Sequence, residues 1–179
     1  MKVGNSKILS FKITNSGNQT YKITNITGAS APYTLSGTTN GTLAPGESIT
    51  VLVEFKPTQS GNFTVTLDIQ TDVAGLSQTV NLIGNGVAPL MSVNTTLLDF
   101  GTQLITGTKD LNITLTNNGN YDITSLSYTL NGTAFSIPTS AAAPIAPGNS
   151  KTVTVRFSPT DMQTYTGSLI ISSDGGDQT

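Results

Sequence analysis

The chain has 179 residues, with 8 Lys plus Arg against 10 Asp plus Glu, a formal charge of −2, and only 10% of residues charged; ordinary soluble domains carry about 25%. It contains no Cys and no His, which excludes disulfide frameworks, thiolate or imidazole metal sites and nucleophile pairs of the Ser-His or Cys-His kind. Arg156 is the single arginine and the lysines are dispersed, so no surface could neutralise a run of phosphates and nucleic acid is not expected as a partner.

The opening Met1-Lys2-Val3-Gly4-Asn5-Ser6 lacks the apolar centre of a signal peptide, and no stretch approaches the length of a membrane span. Direct membrane insertion is therefore not expected. Ser and Thr make up about a quarter of the chain and Asn is abundant. Sparse charge, a hydroxyl- and amide-rich surface and no thiols suit an extracellular or cell-surface protein of bacterial or archaeal type, with the cytosol as the plain alternative.

In chain order, Leu9, Phe11 and Ile13 alternate with polar residues and predict a first strand, closed by the turn Asn15-Ser16-Gly17. Ile49, Val51, Val53 and Phe55 alternate with Thr50, Leu52 and Glu54. After the turn Gln59-Ser60-Gly61-Asn62, residues Phe63, Val65, Leu67 and Ile69 alternate with Thr64, Thr66 and Asp68. A last strand follows over Gln78–Gly86. Period two sends one set to the core and the hydroxyl set to solvent. No window keeps the i, i+3, i+4, i+7 pattern of a helix, so the fold is predicted all-β.

The pattern then repeats. Shifted by 102 residues, Leu43–Asp72 falls on Ile145–Asp174 without a gap and 14 of 30 positions are identical, where chance gives on the order of 2. Ala44-Pro45-Gly46 matches Ala146-Pro147-Gly148, Phe55-Lys56-Pro57-Thr58 matches Phe157-Ser158-Pro159-Thr160, and Asn15-Ser16-Gly17 matches Asn117-Asn118-Gly119. Short strands with frequent turns in two units of this size predict two tandem immunoglobulin-like β-sandwiches. Their expected bounds are 1–86 and 90–179. The joint Val87-Ala88-Pro89 is short and stiffened by Pro89, which predicts a rod.

Leu98-Asp99-Phe100-Gly101, Asn117-Asn118-Gly119, Ile145-Ala146-Pro147-Gly148 and Phe157-Ser158-Pro159 resemble the Hydin-like (ASH) domain family, and Gly84-Asn85-Gly86 resembles the G-x-G that ends such domains. That family consists of immunoglobulin-like modules related to major sperm protein, and close relatives recur in tandem in bacterial and archaeal surface proteins. The resemblance implies the fold. It brings no catalytic motif and no cofactor, and it spans cilium, centrosome and cell-surface roles, so it does not supply a function.

The two units differ at their ends. The second opens with Met91–Gly101, a plausible first strand that the first unit lacks, and the first closes with Gln78–Gly86, a last strand that the second lacks. A missing strand leaves inward positions unfilled, each worth about 1.5–3 kcal/mol when buried, and an unpaired backbone edge, against a domain stability of about 5–15 kcal/mol. Three arrangements answer to this: the chain is an excerpt of a longer array, adjacent subunits donate strands, or the sandwiches close by local rearrangement. The edges expected to pair with another strand are Leu9, Ser10, Phe11, Lys12, Ile13 and Thr14, and Gly167, Ser168, Leu169, Ile170, Ile171 and Ser172. The expected partners are copies of the chain or neighbouring Ig-like repeats.

Seven N-glycosylation sequons stand at Asn18, Asn25, Asn40, Asn62, Asn94, Asn112 and Asn131; plain polar surface is the slightly favoured explanation. Asp174-Gly175-Gly176-Asp177 offers too few carboxylates for Ca²⁺ and reads as a tail. Tyr21, Tyr33, Tyr121, Tyr128, Tyr165 and Phe135 could stack on sugars but fit packing positions better. The leading expectation is a non-enzymatic structural module of an extracellular rod, adhesin stalk or filament. Alternatives are a surface module that binds carbohydrate or protein, and an intracellular cytoskeletal scaffold.

Overall fold

The computed structural model describes residues 1–179. The chain forms two compact units, Met1–Val87 and Ala88–Thr179, and every regular element is a β-strand. In the first unit the strands are β1 (Lys7–Thr14), β2 (Tyr21–Thr27), β3 (Tyr33–Gly37), β4 (Gly41–Leu43), β5 (Ser48–Phe55), β6 (Gly61–Thr71) and β7 (Gln78–Gly86). In the second they are β8 (Met91–Val93), β9 (Lys109–Asn117), β10 (Leu126–Asn131), β11 (Phe135–Thr139), β12 (Ser150–Phe157) and β13 (Ser168–Ser173).

The first unit packs the sheet β1-β5-β3 against β4-β2-β6-β7. Its core is Ile23, Ile26, Leu43, Val51, Leu67 and Ile69, with Val80 and Leu82 of β7 packed on it. The second unit has β11-β12-β9-β8 and the pair β10-β13, with the isolated bridge Ile123↔Ile145 standing where the first unit pairs Tyr21 with Leu43. The registers repeat along with the sequence: Phe11↔Val51 becomes Ile113↔Val153. Thr and Ser on the outer faces bond across strands, Thr14 Oγ1 with Ser48 Oγ at 2.9 Å and Thr116 Oγ1 with Ser150 Oγ at 2.8 Å.

The joint residues belong to the units rather than to a linker. The Val87 N–H donates to Met1 O at 2.9 Å and Val87 O accepts from the Val3 N–H at 2.8 Å. On the other side the Ala88 N–H donates to Asn120 Oδ1 at 2.9 Å.

In each unit a buried asparagine organises the loops. Asn15 is 2% exposed and Asn117 0%. The Asn15 amide donates to Gln19 O and Leu43 O, both at 2.8 Å, while its Oδ1 accepts from the Gly17 N–H at 3.0 Å. Asn117 repeats this with Tyr121 O, Ile145 O and the Gly119 N–H, and also accepts from the Leu90 N–H at 3.3 Å. A short polar side chain can be buried there because each of its hydrogen-bonding atoms is met.

Candidate functional site: two open strand edges

The expected edge residues of the first unit lie on β1. That strand is at the end of its sheet and pairs along its whole length with β5, from Lys7↔Phe55 to Thr14↔Ser48. Leu9 is 62% exposed, Phe11 and Ile13 are half-buried, and Ser10, Lys12 and Thr14 are exposed. Their counterparts on β9 have a neighbour. There β8 pairs Met91 with Asn117 and Val93 with Leu115, Asn94 Oδ1 accepts from the Thr114 N–H at 2.7 Å, and Phe100 enters the core beside Phe135 and Phe157 at 5.6 and 5.7 Å between ring centres. With that cover Ile113 is 7% exposed and Leu115 0%. The equivalent side chains of β1 meet less protein because nothing like Met91–Phe100 lies beside them.

The second unit is open on β13. One edge of this strand pairs with β10, from Leu126↔Ser173 to Asn131↔Ser168, and the other carries the single bridge Ile171↔Gln178. Ser168, Leu169, Ile170, Ile171 and Ser172 are in the strand, whereas Gly167 precedes it. In the first unit β6 starts at Gly61 and pairs with β7 from Gly61↔Gly86 to Ile69↔Gln78. The equivalent residues 163–167 have no strand geometry. A groove of about 1510 Å³ opens there, bounded by residues 95–105 and 161–169 and floored by Phe135, Val155, Phe157 and Leu130. Leu104 is 85% exposed on its rim and Met162 93%.

All seven sequon asparagines are exposed. Asn25, Asn62, Asn112 and Asn131 lie on strands and Asn18, Asn40 and Asn94 in turns or loops. Asn131 Nδ2 donates to Ser168 Oγ at 3.4 Å. Asp174, considered above as part of a tail, instead closes a turn: its carboxylate accepts from the Thr124 N–H at 2.9 Å and Thr124 Oγ1 at 2.7 Å. Tyr33 is 4% exposed and donates to Phe63 O at 2.9 Å, and burial raises its pKa. Tyr128 donates to Ala141 O at 2.7 Å and is raised by burial likewise. Phe135 stacks on Phe157 at 5.1 Å, and the Tyr165 hydroxyl donates to Asp161 at 2.6 Å. On the outer face, the bidentate hydrogen bond from Arg156 at 2.7 and 2.8 Å holds the Asp110 carboxyl below its usual range. No group of three or more carboxylates is arranged to hold a metal ion.

The buried roles of Asn15 and Asn117 escaped the sequence reading, which saw turn chemistry at both places. Their recurrence at the same offset was the available signal.

Two all-β units, each with facing sheets and a mixed aliphatic and aromatic core, define a tandem of immunoglobulin-like domains. The sequence matches the HYDIN/CFA65/VesB-like, Ig-like domain family over residues 1–85 and again over 89–179, and the chain belongs to that family. Among solved structures it is similar to a protein of unknown function from Porphyromonas gingivalis W83, at 15% identity and a TM-score of 0.39, covering 98% of this chain and 87% of that one. It is similar at the same identity and TM-score to the secreted serine protease VesC from Vibrio cholerae, covering 98% of this chain and 49% of VesC. The Pseudomonas aeruginosa CupB2 chaperone aligns at 10% identity and a TM-score of 0.33, covering 96% of this chain and 89% of its own. A comparison with curated protein sequences finds no match. No helix of the chain is long and apolar enough to cross a membrane.

Proposed function

We propose that the chain is a non-enzymatic structural module of an extracellular rod, adhesin stalk or filament, joined to copies of itself or to neighbouring Ig-like units by strand pairing. The observation that carries this reading is the pair of open edges: β1 and β13 each leave uncovered a flank that the other unit covers with a strand of its own. Edges of this kind are normally blunted by charge, proline or a bulge. On β1 the ladder to β5 is unbroken and only Lys7 and Lys12 are charged. His and Cys are absent, which removes Ser-His and Cys-His nucleophile pairs and thiolate or imidazole metal sites, and the hydroxyl- and amide-rich surface suits the cell exterior.

Imaging by electron microscopy together with sedimentation at rising concentration tests the assembly. Concentration-dependent linear particles are expected, and Leu9→Lys should remove them while leaving the fold unchanged by circular dichroism. Isolated particles at every concentration would overturn the reading. Antibody labelling of intact, unpermeabilised cells tests the location. A second reading, a protein-binding surface module, is favoured by the groove beside β13.

A further inference from the structure

We infer that the chain carries a built-in site of covalent change at Asn131-Gly132, where the asparagine loses its side-chain ammonia and becomes aspartate or isoaspartate without an enzyme. The chemistry is intramolecular. The Gly132 backbone nitrogen attacks Asn131 Cγ; a C–N bond forms, the Cγ–Nδ2 bond breaks, and the amide leaves as ammonia with the proton lost from Gly132. Water then opens the five-membered imide at one of its two carbonyls, giving aspartate or its isomer with the main chain routed through Cβ. No electrons are exchanged and water is the sole co-reactant. Glycine on the C-terminal side favours the step because no Cβ shields the attacking nitrogen.

Asn-Gly pairs stand at 40–41, 85–86, 118–119 and 131–132, and the fold treats them differently. The backbone groups of Lys22 face Asp72, so by the alternation of an antiparallel ladder Ile23 turns its own to Gly41. Asn85 and Val87 face Met1, which turns Gly86 to Gly61 in the same way. The Gly119 N–H donates to Asn117 Oδ1 at 2.9 Å. At these three places a hydrogen bond occupies the nitrogen that would attack. Gly132 is different. Ile171 faces Gln178, so Asn131 and Ser168 form a hydrogen-bonded pair and the ladder ends there. Gly132 bonds through its carbonyl, which accepts from the Phe135 N–H at 3.4 Å, and its N–H is left to solvent. Both residues are exposed, and Asn131 Nδ2 is held by Ser168 Oγ at 3.4 Å, a long and weak hydrogen bond. Asn131 is also the last residue of β10, where fraying lets its Cα–C bond turn and bring the nitrogen to Cγ.

The product places a new negative charge opposite Ser168, at the end of the two-stranded pair β10-β13. It also consumes the sequon Asn131-Gly132-Thr133: a glycan needs the same side-chain nitrogen, so glycosylation and conversion exclude each other at this position. The test holds the full chain in mildly alkaline buffer, where more of the attacking nitrogen is deprotonated, beside the same chain in urea, and follows both by peptide mapping. Conversion adds about 1 Da to the peptide concerned. In urea the four pairs should convert at similar rates, since their local sequences share the reacting groups. In the folded chain Asn131 should outpace the other three by about tenfold or more. Asn131→Gln, which would have to close a slower six-membered ring, should remove that signal, with circular dichroism as the check on folding. Conversion of Asn40, Asn85 or Asn118 as fast as Asn131 in the folded chain overturns the proposal, and so does an Asn131 that folding protects as strongly as the others.

Discussion

Asn117 makes three of its hydrogen bonds to backbone groups of Gly119, Tyr121 and Ile145, and a nonpolar replacement removes all three, although the Ile145 carbonyl keeps the Ile123 N–H at 3.0 Å. Each hydrogen bond lost is worth about 0.5–1.5 kcal/mol, so Asn117→Leu is expected to lower the unfolding free energy by roughly 2–4 kcal/mol, read from urea denaturation. Asn117→Asp should be no better, since a carboxylate oxygen would face two carbonyl oxygens. The surface pair behaves differently. Arg156 lowers the pKa of Asp110 in the folded state, so the unfolded state takes up the proton first as pH falls. The contribution is complete above the ordinary carboxylate pKa and is lost as pH drops through the lowered folded value. Both side chains are 40% exposed, which keeps the effect small. Asp110→Asn should flatten the acid limb of the stability–pH curve without changing the neutral plateau by much, as calorimetry across that range would show. Of these two features the sequence displayed neither. Asn is mostly a surface residue, and the Arg156↔Asp110 register appears only once β12 and β9 are paired.

At the level of the strand, β6 runs for 11 residues and β13 for 6, although their segments descend from one duplicated stretch. The alternation of Tyr165, Gly167, Leu169 and Ile171 made the inward positions legible. It could not fix where the strand begins, because residues 61–65 owe their strand geometry to β7 and residues 163–167 have no such neighbour in the chain. Strand length here is a property of the pair, not of the segment. β7 can be tested directly. Gly84→Ala drives a methyl into the Phe55 ring and the Tyr33 hydroxyl, an overpacking expected to cost about 1–3 kcal/mol. Thermal melts should place that loss in the first unit, and the Tyr33–Phe63 hydrogen bond is the contact expected to break.

Across the whole chain, the repeat acts as an internal control, since each unit shows what the other's exposed flank looks like when covered. The fold class, the two units and the inward faces could all be read from periodicity and turn chemistry. The division at Val87 and Ala88 could not, because it depends on long-range bonds from Met1, Val3 and Asn120. Beside the single Arg156–Asp110 pair, the outer faces carry neutral cross-strand bonds: Thr66 donates to Asn81 and Thr154 to Asn112, at 2.8 and 2.9 Å. Such dipolar contacts lie largely outside the reach of ionic screening, which weakens exposed charge pairs over about 10 Å at 0.1 M salt. Any association of these surfaces should therefore hold nearly the same affinity from dilute buffer to brine, with titration at low and high sodium chloride as the check. A tether assembled in this way would keep its grip through swings in salinity that loosen a charge-matched one.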